Sequence, residues 1–196
     1  HLTLQPPELG IDVNPATKQF SNDDWSNILI GDQSDPSFWK YVRSTVGEID
    51  IFLDDGGHTM DMQRITFENV FPMIRKNGVY ACEDLATSYV HQFGGLSGVM
   101  APQSMGSTMI SLTQQFVDWL NSYFVDGTFR SREPTNLLSG IARTFALEAN
   151  SIHFYSQLVV VEKSDGKLGV CVFLSFSLSL STQLHIHTTT TMVEDK

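Results

Sequence analysis

Two short apolar runs that each end in carboxylates set the strongest limit on this chain. Ile49-Asp50-Ile51-Phe52-Leu53 leads into Asp54-Asp55-Gly56-Gly57-His58, and Gly78-Val79-Tyr80-Ala81-Cys82 leads into Glu83-Asp84, 28 residues after Asp55. Apolar runs of this length, bounded by Gly and Asp, read as buried strands. Open α/β sheets bind ligands outside the carboxyl ends of their strands, so both clusters are expected at one rim of a sheet. Three carboxylates and a histidine gathered there suit a hard divalent cation with a base beside it.

Composition narrows the partners. The chain has 196 residues, enough for one domain with a sizeable core, and is 41% hydrophobic. A net charge of −10 and a pI near 4.8 disfavour nucleic acid, whose phosphates are bound through Lys and Arg. The two cysteines, Cys82 and Cys171, make no disulfide framework, and Cys82 falls in a strand where it reads as core. No run of 18 apolar residues predicts a membrane span, and no secretory signal is visible, so the expected compartment is the cytoplasm. The chain begins with His1 rather than Met, and its natural start is expected to lie upstream.

Strand and helix signals alternate along the chain. Leu9–Pro15 reads as a strand end and turn, residues 27–33 as a strand running into a polar loop, and Asp35-Pro36 as the cap and first residue of a helix through about Val46. Residues 49–54 are a third strand. Met62, Ile65, Val70 and Ile74 predict a helix over 59–74, stopped by Lys76-Asn77-Gly78 before a fourth strand at 79–83. Residues 86–107 read as a loop or lid, and Leu112, Phe116, Trp119, Leu120 and Phe124 predict a helix over 111–124. After a mixed stretch at 126–150, residues 152–155 and 158–163 read as a closing strand pair. The fold expected is α/β, a doubly wound sheet over residues 9–165. Residues 168–196 form an atypical tail whose segment 173–181 alternates apolar residues with serine.

In such sheets an acid after an early strand accepts hydrogen bonds from ribose hydroxyls, and Asp12 occupies that position. Asp32 and Gln33, at the end of the next strand, fall where an adenine would lie, with Gln offering donor and acceptor together. One half of the rim thus looks built for an adenosine group. On the other half Asp55, Glu83 and Asp84 would repel one another unless a cation such as Mg²⁺ lies between them. The cation would orient a substrate diol and lower the pKa of one hydroxyl, and His58 would take that proton. Each residue also has a plain alternative. Asp54 or Asp55 is as readily a helix N-cap, Glu83-Asp84 a solvated pair, Asp12 a cap for the Asn14-Pro15 turn, and a lone His structural. The coincidence of acids and a His at consecutive strand ends favours the chemical reading. His91, His153, His185 and His187 have no such setting.

Taken in order, Gly10–Pro15, Ile30–Pro36, Leu53–His58, Cys82–Tyr89 and Ser151–Tyr155 followed by Leu158–Lys163 resemble the motifs of class I S-adenosylmethionine-dependent methyltransferases. The closest branch is similar to the macrolide-sugar O-methyltransferases and the cephalosporin-hydroxylase-like group. The resemblance implies a Rossmann-like, mostly parallel sheet ending in an antiparallel hairpin. It also implies transfer of a methyl group from S-adenosylmethionine to a hydroxyl of a small-molecule acceptor such as a sugar. Residue by residue, Asp55, Glu83 and Asp84 match the Mg²⁺ ligands, His58 the general base, Asp12 the ribose-binding acid, and Asp32 and Gln33 the adenine side. The family's first strand and its Gly-rich loop have no counterpart from residue 9 onward. That strand lies at the centre of the sheet, so a gap is expected between two neighbours.

Two other functions fit the same residues. One is a non-catalytic methyltransferase-like fragment that no longer binds cofactor. The other is a metal-dependent hydrolase, disfavoured because the chain has no Asp nucleophile motif and no basic residue near the acids to receive a phosphate. The sequence does not name the acceptor or the oligomeric state. Residues 86–150 are expected to shape the acceptor pocket, with Tyr89, Trp119 and Tyr123 as wall or core residues.

Overall fold

The sheet comes in two pieces. A computed structural model describes residues 8–21, 26–96, 107–122 and 138–165, all of which belong to one unit ending at Gly166. Strand β1 (Glu8–Asp12) pairs in parallel with β2 (Ser26–Ile30). Strand β3 (Ile49–Asp54) pairs in parallel with β4 (Ile74–Cys82), and β4 continues antiparallel to β6 (Leu158–Lys163) and then β5 (Ala149–Tyr155). Among the described residues β1 and β3 each have a partner on one side only. The two sheets are therefore separate among the described residues, and the resemblance calls for one more strand to join them.

Local signals explain most boundaries. Helix α1 (Pro36–Val46) starts where expected, because Asp35 accepts from the Ser37 N–H at 2.8 Å and Pro36 needs no intrahelical partner. Helix α2 (Met60–Val70) is capped by Thr59, whose hydroxyl accepts from the Met62 N–H. It ends well before Lys76-Asn77-Gly78. Pro72 has no N–H to continue the ladder, so Phe71–Met73 tightens into a 3₁₀ turn and the chain is already strand at Ile74. Residues 75–78 then form an irregular excursion inside β4, with Asn77 at φ +60°, between the Ile49–Ile74 and Ile51–Val79 pairs.

Helix α3 (Met109–Leu120) lies where the apolar spacing puts it, whereas α4 (Gly140–Glu148) emerges from the stretch that gave no clear signal. The closing strand pair is a hairpin that turns at Gln157, φ +64°. Residues 85–89 and 91–93 are 3₁₀ turns rather than open loop. Tyr123, Phe124, Cys171, His185, His187 and the tail 168–196 lie outside the described residues.

Aromatic side chains join α2, α3 and α4 over β4. The Phe67, Phe116 and Phe145 rings pack with centroids 4.5–6.2 Å apart, Tyr80 of β4 sits 5.3 Å from Phe67, and all four residues are fully buried. At its edge, Lys163 reaches over the Phe71 ring and pairs with Glu148, tying β6 to α4. The expectation of two buried strands holds for β4 but only half for β3. Phe52 and Asp54 face the core, whereas Ile51 is 72% and Leu53 54% exposed, because no described element covers their face.

Candidate functional site

The two acid-bearing segments leave the sheet side by side. β3 and β4 are parallel neighbours with Asp54 opposite Cys82, so Asp55 and Glu83 start adjacent exits. The Glu83 N–H donates to the Asp54 carbonyl at 3.0 Å, extending the ladder by one bond past the strand ends. From α2, the Gln63 amide donates to the Glu83 carbonyl at 2.9 Å and fixes the second exit from below.

Asp55, His58 and Asp84 converge, each offering a ligand atom within 4.8 Å of the others. His58 Nε2 lies 3.4 Å from Asp84 Oδ2 and 4.0 Å from Asp55 Oδ1. The acids are about half exposed and the imidazole is partly buried. Both His58 (φ +58°) and Asp84 (φ +54°) occupy the left-handed region. That backbone costs non-glycine residues roughly 1–3 kcal/mol and is retained mainly where a site needs it. The Glu83 carboxylate is outside this threesome, and its segment is held through its backbone. The two carboxylates, with the Glu83 segment beside them, supply the oxygen donors that a hard cation such as Mg²⁺ takes, and the imidazole stands next to them as a base rather than as a ligand.

Asp54 is a structural acid. It is 4% exposed, and burial pushes its carboxyl up to about 6, partly offset by hydrogen bonds from Gln33, the Gly56 backbone and Tyr80. The Tyr80 hydroxyl lies 3.4 Å from Asp54 Oδ2 on the core side. Burial also raises the Tyr80 phenol well above its ordinary value.

The adenosine side divides. Asp12 closes β1, and its Oδ1 accepts from the Asn14 N–H at 2.7 Å, as the turn-cap alternative requires. Asp32 accepts from the Ser34 N–H and hydroxyl at 2.8 and 2.7 Å, and these bonds hold its carboxyl below the usual range. Gln33 turns inward. Its Oε1 accepts from the Gly57 N–H at 2.6 Å, and its Nε2 donates to Asp54 Oδ1 at 3.1 Å and Thr66 Oγ1 at 2.9 Å. The Gln33–Asp54 bond also places the exit of β2 beside the end of β3, so both halves of the rim meet there.

The sequence reading missed Gln63 and Thr66, which brace this rim from the buried face of α2, each 1% exposed. Two polar residues three apart on a buried helical face were the available signal. Of the aromatic wall candidates, Trp119 packs into the core against Phe116 and Phe145, and Tyr89 is 48% exposed.

No known protein-family profile matches the chain. The chain is similar to the 8-demethyl-8-(2-methoxy-alpha-L-rhamnosyl)-tetracenomycin-C 3'-O-methyltransferase of Streptomyces olivaceus, 31% identical over 166 residues, covering 85% of this chain and 39% of that protein. It is likewise similar to the demethylmacrocin O-methyltransferase of Streptomyces fradiae, 29% identical over 154 residues, covering 79% of this chain and 35% of that protein. Among solved structures it matches the MycE methyltransferase of the mycinamycin biosynthetic pathway, in complex with Mg and SAH, with a TM-score of 0.68 and 24% identity, over 86% of this chain and 40% of that one. The shared fold is therefore that of a Rossmann-like methyltransferase. The chain spans about two fifths of the length of the curated relatives it matches.

Proposed function

We propose that this chain, a relative of the macrolide-sugar and rhamnosyl-tetracenomycin O-methyltransferases, serves in S-adenosylmethionine-dependent, Mg²⁺-assisted methylation of a sugar hydroxyl on a small molecule. The observation that carries the reading is the convergence of Asp55, His58 and Asp84 at the ends of two adjacent parallel strands. The relatives' printed names support the acceptor class: one acts on a rhamnosyl group, and a MycE structure holds Mg, SAH and mycinamycin VI. The non-catalytic alternative is not favoured, because the acid–histidine cluster is assembled and the relatives reported above carry O-methyltransferase names.

The chain's own groups have distinct tasks. Asp55 and Asp84, with Glu83 beside them, would hold the cation, which when bound would supply positive charge that lowers the pKa of an acceptor hydroxyl. His58 Nε2 accepts the hydroxyl proton. The acceptor oxygen then bonds to the methyl carbon as the carbon–sulfur bond of S-adenosylmethionine breaks, releasing S-adenosylhomocysteine. Asp12 would receive the ribose hydroxyls of the cofactor and Asp32 would flank its adenine. Positioning supplies much of the rate.

Calorimetry with S-adenosylhomocysteine, with and without Mg²⁺, tests the reading together with methyl-transfer assays on a rhamnosylated polyketide. Binding of cofactor product and cation, with turnover lost in His58→Ala, is the expected result. Absence of S-adenosylhomocysteine binding at millimolar ligand would favour the non-catalytic alternative.

A further inference from the structure

Gln33 stands at the point where β2, β3 and α2 meet, and its side-chain amide is fully engaged by protein. Its oxygen takes the Gly57 N–H, and its nitrogen is shared between the Asp54 carboxylate and the Thr66 hydroxyl. Gly57 lies between Asp55 and His58, the two residues of the first acid segment that face Asp84. The amide thus anchors the middle of that segment to a buried acid, Asp54, whose carbonyl in turn receives the Glu83 N–H of the second segment.

The glycines are shaped around this bond. A Cβ on Gly56 would stand 2.1 Å from Gln33 Oε1, and one on Gly57 would stand 2.3 Å from Met62 Sδ. A side chain at Gly56 displaces the Gln33 amide, and one at Gly57 displaces the Met62 thioether. The left-handed backbone of His58 follows directly after this anchor, which holds the chain in a conformation it would otherwise leave.

We infer that Gln33 is a positioning residue, whose amide fixes Asp55 and His58 opposite Asp84 instead of contacting the adenine of a cofactor. The inference rests on the cation-site reading above and gives that reading a supporting layer. Such outer partners orient ligands, and their loss typically costs about 10–100-fold in metal affinity.

The test uses Mn²⁺ as probe, followed by its electron spin resonance signal, and amide hydrogen exchange at Gly57 without metal. Gln33→Met keeps the length of the side chain and removes all three bonds. It should weaken Mn²⁺ binding about tenfold or more and speed exchange at Gly57, with the Phe67 and Val70 amides of α2 unchanged. Gln33→Glu sets two carboxylates against each other, and the double variant Gln33→Glu/Asp54→Asn reverses the polarity of the pair. The double variant should recover Mn²⁺ binding and Gly57 protection lost in the single one. Unchanged Gly57 exchange and Mn²⁺ affinity in Gln33→Met overturns the inference. So does a loss confined to S-adenosylhomocysteine affinity with no rescue by Asp54→Asn, the result an adenine contact would give. If the unsubstituted chain fails to bind Mn²⁺, the cation reading falls, and the Gly57 exchange rates and their rescue still decide the role of Gln33.

Discussion

His58 Nε2 and Asp84 Oδ2 lie 3.4 Å apart, and both residues hold a left-handed backbone to get there. Asp84 makes no capping hydrogen bond with its side chain, and the local bonds there, from the Thr87 N–H and hydroxyl, go to its backbone carbonyl. Its contact with His58 is half exposed and of small value to the fold. A strained backbone whose carboxylate does nothing for the turn marks a position kept for the chemistry of that side chain.

Asp84→Gly should therefore stabilise the fold by about 1 kcal/mol, since glycine adopts a positive φ without steric cost. The same substitution should lower Mn²⁺ affinity by at least about tenfold, or ~1.4 kcal/mol. Denaturant melts and a metal titration on one preparation check both. A Gly variant less stable than the parent would mean that Asp84 serves the fold.

Gly56→Ala tests the close approach of Gln33. The added methyl must push the amide aside, and overpacking of this kind costs about 1–3 kcal/mol. A lower midpoint of urea unfolding at unchanged slope is expected. Gly47→Ala is the comparison, because a Cβ there meets nothing within 4 Å and only its φ of +75° opposes it.

Much of this fold is legible in local sequence because its signals are local. Asp35-Pro36 announces α1, and the apolar runs before the acids announce β3 and β4. The end of α2 was misplaced because the Lys76-Asn77-Gly78 stop signal outweighed Pro72, which acts one turn earlier. The α4 segment has no glycine-free apolar stripe long enough to stand out from residues 126–150. The convergence of Asp55, His58 and Asp84 could be inferred from strand ends alone, since parallel neighbours deliver their exits to one rim. The inward turn of Gln33 could not. It depends on Asp54 and Thr66, which lie 21 and 33 residues away and reach it only through tertiary packing.

Phe116→Ala should be among the costlier core changes. The ring is fully buried and packs 4.6 Å from Phe67 and 4.5 Å from Phe145, so its removal leaves a cavity among three helices. The expected loss is about 3–5 kcal/mol. Val117→Ala, next to it but 48% exposed, should stay within roughly 0.5 kcal/mol. Guanidinium unfolding of the pair measures the contrast, and equal effects would mean that the aromatic cluster is not the core.

Cys82 should resist alkylation in the native chain. It is fully buried, and burial together with the Asp54 charge raises its thiol far above the ordinary value, so little thiolate forms. Iodoacetamide at pH 8 followed by peptide mass mapping should leave Cys82 unmodified until denaturant is added. Rapid native labelling would place it at an accessible surface.

Asp12 has two possible duties that one substitution separates. Its Oδ1 already accepts from the N–H of Asn14, the residue whose own side chain caps the 3₁₀ turn at Pro15. Receiving a ribose diol needs the charged carboxylate, whose bonds are worth about 1.5–3 kcal/mol each. Asp12→Asn keeps an acceptor for the Asn14 N–H and removes the charge. If Asp12 serves the cofactor, S-adenosylhomocysteine affinity should fall about 10–100-fold, while the unfolding midpoint stays unchanged. If Asp12 serves only the turn, Asn should be neutral in both measurements, and Asp12→Ala should cost about 1 kcal/mol of stability with no loss of affinity. Calorimetry and urea melts on the two variants separate these outcomes, because Asn replaces the acceptor that a turn bond needs but not the charge that a ribose diol needs.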